Sequence, residues 1–168
     1  FRVDAPSKGS EYLVQLTYTP TKKVEFFSRY RVENKMQDAP GGISLLPLMS
    51  RINRMNWRTQ LTVQLDNMWR IKHRLEFSRY RIDDANAETG FITFVDLSYK
   101  PMMKKQISGS ARVQHFNTDG FDSRVFAFEN DLPFSYSVPF YYEKGFRWYL
   151  SLRSNLDSFL PYKALGDM

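Results

Sequence analysis

The 168-residue chain contains no cysteine, only two histidines and no long hydrophobic run. Without cysteine it has neither disulfides nor thiolate metal ligands. Its longest uncharged, apolar-rich run, residues 41–50, is interrupted by Pro47 and falls short of the roughly 18 apolar residues that a membrane-spanning helix needs. The sequence therefore indicates neither a disulfide-rich domain nor a helical membrane protein.

Aromatic residues, in contrast, are abundant. The chain has 14 Phe, 10 Tyr and 3 Trp, although its mean hydropathy is a polar −0.49. This combination is typical of membrane proteins built from strands, because only alternate residues of each strand face lipid. The net charge of +6 is compatible with nucleic acid, anionic lipid or an anion-attracting lumen as the partner. The positions of the arginines decide between these.

Alternation between apolar and polar residues is the dominant pattern. In residues 11–20, for example, Tyr12, Val14, Leu16 and Tyr18 share one face. The same period predicts strands at 24–33, 57–66, 69–77, 91–99, 107–114, 123–138 and 146–153, of which 123–138 is either one long strand or two short ones that turn at 129–131. We therefore predict an all-β, antiparallel, up-and-down transmembrane β-barrel. About eight strands lie in residues 1–168, which form one domain or a segment of a larger barrel.

The predicted connections alternate in length. Short turns at 20–22, 67–68 and 101–103 alternate with longer connections at 35–55, 83–90 and 117–122. Outer-membrane barrels show this asymmetry between short periplasmic turns and longer external loops. The connection 35–55 is the longest, and we predict that it is an external loop.

The hairpin is also the repeating unit, since the sequence Phe-Ser-Arg-Tyr-Arg begins at both Phe27 and Phe77. One irregularity interrupts the second copy. Arg79 and Tyr80 reverse the phase set by Leu75 and Phe77, which predicts a β-bulge at this point.

Arginines dominate the polar phase of the predicted strands. The inward-facing set is expected to contain Arg29, Arg31, Arg58, Arg70, Arg74, Arg79, Arg81, Arg112, Arg124, Arg147 and Arg153. The candidate binding residues among them are Arg29, Arg31, Arg58, Arg70, Arg74, Arg112 and Arg147. They indicate a lumen that attracts anions or recognises phosphate or carboxylate. The alternative is a ladder of ion pairs that only fills a polar interior, with partners at Glu25, Glu33, Asp66, Glu76 and Glu129. An eight-stranded barrel is too narrow for an open channel.

Four segments of the chain carry a family resemblance. They are Arg-Val-Phe-Ala-Phe-Glu-Asn-Asp-Leu-Pro-Phe-Ser-Tyr-Ser-Val-Pro at 124–139, Gly-Phe-Arg-Trp-Tyr at 145–149, the opening Asp-Ala-Pro-Ser at 4–7, and the Leu-x-Tyr-x-Pro turn. Together they resemble the C-terminal barrel region of Bacteroidota outer-membrane proteins. In that family a helix-hairpin-helix segment often precedes the barrel, so the similarity is to a portion of a longer protein. The resemblance implies a location in the bacterial outer membrane, with outer-membrane lipid as a partner. Export would require a cleaved leader or further chain ahead of Phe1.

A catalytic role is an alternative, because some outer-membrane barrels are lipid-modifying hydrolases or acyltransferases that use His with Ser and a carboxylate. His115 shares its predicted strand with Ser108 and Ser110. Alternation, however, places His115 on the lipid-facing phase near a strand end, so neither it nor His73 is predicted to be catalytic.

The segment 117–122 offers closely spaced oxygen ligands around Gly120. It lacks the full spacing and the bidentate Glu of a calcium loop, and a turn built on Asp119-Gly120 explains it more simply. We predict no metal and no cofactor.

These patterns favour a non-enzymatic outer-membrane component with a structural, transport-associated or complex-forming role. The apolar part of 35–55, Ile-Ser-Leu-Leu-Pro-Leu-Met at 43–49, could contact other outer-membrane proteins, rest on the membrane or tuck onto its own strand ends. No nucleic acid is expected. A soluble basic β-domain that binds anionic ligands is the remaining alternative, since soluble sheets also alternate.

Overall fold

The computed structural model describes residues 8–38, 49–102, 107–129 and 138–154. All secondary-structure elements within these ranges are β-strands. In the same ranges no helix is long and apolar enough to cross a membrane. Parts of the predicted connections 35–55 and 101–103 and of the predicted strand 123–138 lie outside the described residues.

Seven strands form one antiparallel sheet in which neighbours are hydrogen-bonded in chain order, apart from the step from β6 to β9. They are β1 (Gly9–Thr21), β2 (Val24–Asp38), β3 (Met49–Gln64), β4 (Trp69–Ile82), β5 (Glu88–Tyr99), β6 (Ser108–Thr118) and β9 (Lys144–Arg153). A separate ribbon pairs β7 (Val125–Phe126) with β8 (Phe140–Tyr141). The prediction of an all-β, antiparallel, up-and-down arrangement is confirmed. Pairing between β1 and β9 is not seen in the described ranges, so closure into a barrel stays a prediction.

The hairpin of β2 and β3 is longer than the sequence predicted. Its register runs without a break from Val24↔Val63 to Asp38↔Met49, so residues 35–38 and 49–55 are strand rather than loop. The boundaries of the predicted loop 35–55 were therefore wrong, and residues 39–48 lie outside the described part. Alternation failed as a guide here because Lys35 to Asp38 and Arg51 to Arg54 are mostly polar on both phases.

The predicted bulge at Arg79 and Tyr80 does not exist. Arg79 pairs with Met55 and Tyr80 with Arg54 in an unbroken register. The backbone of β4 does not change phase here. Only the sequence pattern reverses, because the aromatic Tyr80 lies on the same face as Glu76. A register shift does occur in β1, between Tyr18 and Thr21.

The sheet has two chemically distinct faces. The polar face carries the side chains in phase with Arg58, whose register neighbours are Arg29 on β2 and Glu76 on β4. The opposite face, the apolar face, carries the phase of Trp57, which is in register with Tyr30 and Phe77.

Residues 119–143 connect β6 to β9, and their described part, here called the insert, packs on the polar face. Val125, Ala127 and Tyr141 of the insert form a buried cluster with Ile92 and Phe94 of β5. The close approach requires Gly90, because a Cβ there would collide with the carbonyl oxygen of Ser123. The prediction that 123–138 adds a strand or strands to the barrel wall is therefore corrected: β9 follows β6 in the sheet, and of the described residues in that segment (123–129 and 138) only Val125–Phe126 is strand.

Candidate functional site

Charged side chains of the polar face form a ladder across the middle of the sheet. Glu76 is buried, with 3% of its side chain exposed. It accepts hydrogen bonds from the Nε of Arg58 at 2.7 Å and from the Nδ2 of Asn56 at 3.0 Å. The neighbouring charge on β2, Arg31, pairs with Glu11 at 2.8 Å on the exposed edge. The predicted ladder included Glu76 as an arginine partner, whereas the partner Glu11 was not predicted.

A second centre lies where the insert meets the sheet. The guanidinium of Arg112 donates from Nε and Nη2 to the two oxygens of Asp96, at 2.5 and 2.8 Å, and from Nη1 to the carbonyl oxygen of Phe128 at 2.7 Å. It stacks on Phe94 with 4.0 Å to the ring centroid. Lys72 adds an ion pair to Asp96 at 2.9 Å. Arg112 therefore joins β5, β6 and the insert.

A third polar cluster holds the far side of the insert. The buried carboxylate of Glu129 accepts a hydrogen bond from the Tyr141 hydroxyl and pairs with Arg147 of β9 at 2.8 Å. Burial, followed by the hydrogen bond to Glu129, raises the pKa of Tyr141 to about 12. Its hydroxyl therefore stays protonated and donates to the carboxylate at ordinary pH.

Two candidate arginines lie nearer to the short β3–β4 turn. Arg70 donates to Gln64 at 2.9 Å, and Arg74 donates to Gln60 at 3.3 Å while it lies over Phe94, 5.3 Å from the ring centroid. These two hydrogen-bond partners are neutral amides, in contrast to the carboxylate partners of Arg58 and Arg112.

A cavity of about 240 Å³ opens on the polar face between β2, β3, β4 and the insert. The described residues that border it include Arg29, Arg31, Arg54, Arg58, Glu33, Glu76, Asp122 and Arg124. The buried Nε of Arg29 has no hydrogen-bond partner among the residues that the structure describes. Positive charge therefore exceeds negative charge around this cavity.

The structure brings all seven candidate arginines to the polar face of one sheet. The register aligns them in one phase through the pairs Arg29↔Arg58, Arg58↔Glu76, Gln60↔Arg74, Gln64↔Arg70, Asp96↔Arg112 and Gln114↔Arg147, with Arg31 two residues from Arg29. Arg153 has the same phase at the end of β9, and Arg124 lies in the insert. Whether any of them binds a ligand stays a prediction.

Two other arginines were placed wrongly. Without a bulge, Arg79 and Arg81 keep the register phase of Phe77 on the apolar face, although Arg79 also borders the cavity of the polar face. Asp66, which was expected as an arginine partner, instead accepts the backbone N–H groups of Met68 and Trp69 in the β3–β4 turn, each at 2.7 Å.

Sequence reasoning missed Arg54, Lys72 and Asp96. Arg54 lay inside the supposed loop, although it has the phase of Arg58. Asp96 belongs to a phase of β5 that also contains Ile92 and Phe94. Because these neighbours are apolar, the sequence pattern did not indicate that Asp96 lies on the polar face.

Both histidines have the phase of the apolar face. The Nε2 of His73 lies 3.1 Å from the Oγ1 of Thr93, and the ring of His115 packs 5.4 Å from that of Phe91. Neither contact includes a carboxylate, so these positions give the enzyme alternative no positive support.

Hydrogen bonds hold the turn after β6. The carboxylate of Asp119 accepts from the backbone N and the Oγ1 of Thr89, at 2.8 and 2.7 Å, and these bonds lower its pKa. Within the described ranges no group of three or more His, Asp or Glu residues is arranged to hold a metal ion.

The architecture is thus that of an antiparallel sheet with one charged face and one apolar face. No protein-family model matches the chain, and no curated protein or solved structure is significantly similar to it.

Proposed function

We propose that this chain forms all or part of the wall of a β-barrel in the bacterial outer membrane, with a structural, transport-associated or complex-forming role. The supporting observation is the apolar face, which leaves large side chains uncovered along the whole sheet. Tyr12 is 67% exposed on β1, Trp148 is 70% exposed on β9, and Leu61 is 41% exposed on the central strand β3. Such a face is more stable in contact with lipid than in contact with water, because its exposed side chains are large and apolar.

The extent of the exposed apolar surface favours lipid over water. Monomeric soluble proteins rarely leave continuous apolar patches larger than a few hundred Å² uncovered, whereas a barrel wall alternates a lipid-facing and a lumen-facing phase along every strand. All three tryptophans of the chain, Trp57, Trp69 and Trp148, belong to the apolar phase. A shallow apolar depression of about 460 Å³ beside Trp57, Leu75 and Phe77 offers room for an acyl chain.

The polar face suits the interior of such a barrel. Its buried ion pairs and the docked insert fill space next to β4, β5, β6 and β9, as the side chains and plugs of narrow barrels do. The sheet edges β1 and β9 would have to find partners, because hydrocarbon cannot satisfy open backbone groups. Direct pairing of β1 with β9, or additional strands, would supply them. The resemblance to Bacteroidota outer-membrane proteins agrees with this proposal.

Tryptophan quenching in reconstituted vesicles tests the proposal. The chain is refolded into liposomes that contain lipids brominated in the acyl chain, and its fluorescence is compared with that in non-brominated liposomes. We expect strong quenching, because all three indoles would contact lipid. A chain that remains in the aqueous phase, folded and unquenched, contradicts the proposal and favours a soluble basic β-domain. The observation that favours a soluble basic β-domain as the second candidate function is the basic cavity of the polar face.

Substitution of single tryptophans sharpens the test. Trp148 is the most exposed of the three and Trp69 the least, at 70% and 36%. A protein that retains only Trp148 should be quenched at least as strongly as one that retains only Trp69. Quenching of neither, in a preparation that resists extraction by urea, would mean that the apolar face is covered by protein.

A further inference from the structure

The arrangement of charges around the cavity of the polar face leaves two arginines without counter-ions. Arg29 lies directly opposite Arg58 in the register of β2 and β3. Like charges in directly opposed positions of a sheet destabilise it. Glu76 compensates Arg58 at 2.7 Å, but the buried Nε of Arg29 has no hydrogen-bond partner among the described residues.

Arg54, at the other end of the same cavity, is in a similar position. Its register neighbour is Glu33, whose carboxylate already contacts Arg31 at 3.7 Å and Lys35 at 3.4 Å. The guanidinium of Arg54 instead lies over the ring of Tyr80, 5.3 Å from its centroid. An ion pair of Arg54 is absent from the described part of the chain, so this cation remains uncompensated.

Two of the neighbouring neutral donors are already engaged. Asn56, which lies between Arg54 and Arg58 on β3, gives its amide to Glu76 at 3.0 Å, and the hydroxyl of Ser78 donates to the carbonyl of Ser123 at 2.6 Å. Two guanidinium groups that border the cavity, those of Arg29 on β2 and Arg54 on β3, therefore remain available to a ligand.

We propose that this cavity binds a phosphate group through Arg29 and Arg54, with the terminal nitrogens of Arg58 completing the site. One planar guanidinium suffices for a carboxylate, whereas the several oxygens of a tetrahedral phosphate accept forks from different directions. The partly enclosed position strengthens these charge-assisted bonds relative to a site on open surface. The phosphate is that of a soluble phosphorylated compound or of a lipid headgroup. This inference assigns a ligand class to the polar interior and so rests on the proposed function for its setting in a barrel.

Calorimetric titration of the folded full chain with inorganic phosphate, in maltoside micelles, tests the site. We expect saturable binding that weakens by about tenfold or more in R29Q and in R54Q, since each substitution removes a charge-assisted hydrogen bond. R51Q is the matched control: Arg51 lies three residues from Arg54 on the same strand, is exposed and has the opposite phase. It changes the net charge equally and should bind as the unaltered chain does.

A second arm separates the two sources of phosphate. Thermal unfolding is followed in maltoside micelles with and without phosphatidic acid. Binding of inorganic phosphate that depends on Arg29 and Arg54 supports a soluble ligand; stabilisation by phosphatidic acid alone, with the same dependence, supports a lipid headgroup. No effect of either probe, or an equal loss in R51Q and R54Q, overturns the inference.

Folding and membrane insertion are measured in the same preparations. Circular dichroism checks that each variant retains its sheet, and R29K replaces R29Q if the latter does not fold; it should keep the charge but lose affinity because the fork is gone. Tryptophan quenching by brominated lipid reports the membrane proposal separately. A soluble chain that binds phosphate would therefore refute the barrel proposal but support the phosphate site. A membrane-inserted chain that does not bind phosphate would support the barrel proposal but refute the phosphate site.

Discussion

Arg29 and Arg58 face each other directly across β2 and β3, and of the two only Arg58 has a carboxylate partner, Glu76, within the described ranges. The polar face is therefore not a simple ladder of matched charges. Arg58 of β3 pairs with Glu76 of β4 on one side. On the other side it lies opposite Arg29 of β2, which has no carboxylate partner among the described residues. Glu76 is therefore the carboxylate that compensates Arg58 within the cavity.

Replacement of Glu76 by Gln should destabilise the fold substantially. Glu76 is almost completely buried and accepts bonds from both Arg58 and Asn56. Its removal leaves the Arg58 cation beside Arg29 with no counter-ion, and loss of one partner of a buried pair costs about 3–5 kcal/mol. We expect about 2–4 kcal/mol, because Arg58 keeps some solvent contact. Denaturant-induced unfolding of the folded protein in micelles measures this change.

The matched control is E11Q, which breaks the ion pair of Arg31 with Glu11 on the same face. Both side chains of that pair are close to half exposed, and such surface pairs contribute about 0–1 kcal/mol. Equal effects of E76Q and E11Q would contradict the view that burial gives Glu76 its importance.

Replacement of Arg112 by Met should release the insert without unfolding the sheet. Arg112 is the residue that donates to the carbonyl of Phe128 while it is held by Asp96. Hydrogen bonds to charged groups contribute about 1.5–3 kcal/mol, so amide hydrogens of 125–129 should exchange about 10- to 100-fold faster. Exchange measured by mass spectrometry should show little change in β2 and β3.

The variant K72M provides the comparison. It also removes a cation from Asp96, at 2.9 Å, but Lys72 makes no hydrogen bond to the insert among the described residues. Exchange in 125–129 should therefore stay close to that of the unaltered chain. An insert that opens equally in both variants would mean that the charge of Asp96, rather than the link to Phe128, holds it.

The arrangement of the main sheet could be predicted from the sequence because its strands alternate cleanly. Tyr12, Val14 and Leu16 on β1, and Phe146, Trp148 and Leu150 on β9, are apolar in one phase and polar in the other. This period specifies which face each residue takes. The same argument placed the seven candidate arginines on one face.

Alternation could not predict the insert. Residues 124–128 alternate as a wall strand would, yet Val125 and Ala127 are buried against Ile92 and Phe94 of β5. One signal was available: β5 is apolar in both phases, with Phe91 and Val95 in one and Ile92 and Phe94 in the other. A strand that is apolar on both faces is covered on both, so a partner on the polar face was implied.

The ends of β2 and β3 were missed for the opposite reason. Residues such as Lys35 and Arg54 carry no apolar alternation, although their backbone groups pair in an unbroken register. Strand pairing depends on backbone hydrogen bonds that side-chain patterns do not report. The sequence pattern therefore could not predict that Arg54 lies on a strand and borders the cavity.

The stability of the insert should fall at high pH through Tyr141. Burial, then the hydrogen bond to Glu129, raises the pKa of this phenol from 10 to about 12 in the folded state. A raised pKa means that the stabilisation is complete below pH 10 and is lost as the pH rises towards 12. Ionisation would also place a phenolate against the Glu129 carboxylate. The effect belongs to the insert, which lies outside the strands proposed to span the membrane.

Unfolding measured at about pH 9 and about pH 11.5 in the unaltered chain and in Y141F checks this expectation. Y141F lacks the hydroxyl, so it should be less stable at the lower pH, where the Glu129 carboxylate loses a donor, and the gap should narrow at the higher pH. Y142F is the control, because the neighbouring Tyr142 is 46% exposed and packs through its ring against Phe121 and Phe140. It should follow the pH profile of the unaltered chain. A constant difference between Y141F and the unaltered chain across this range would show that ionisation of Tyr141 is not linked to unfolding.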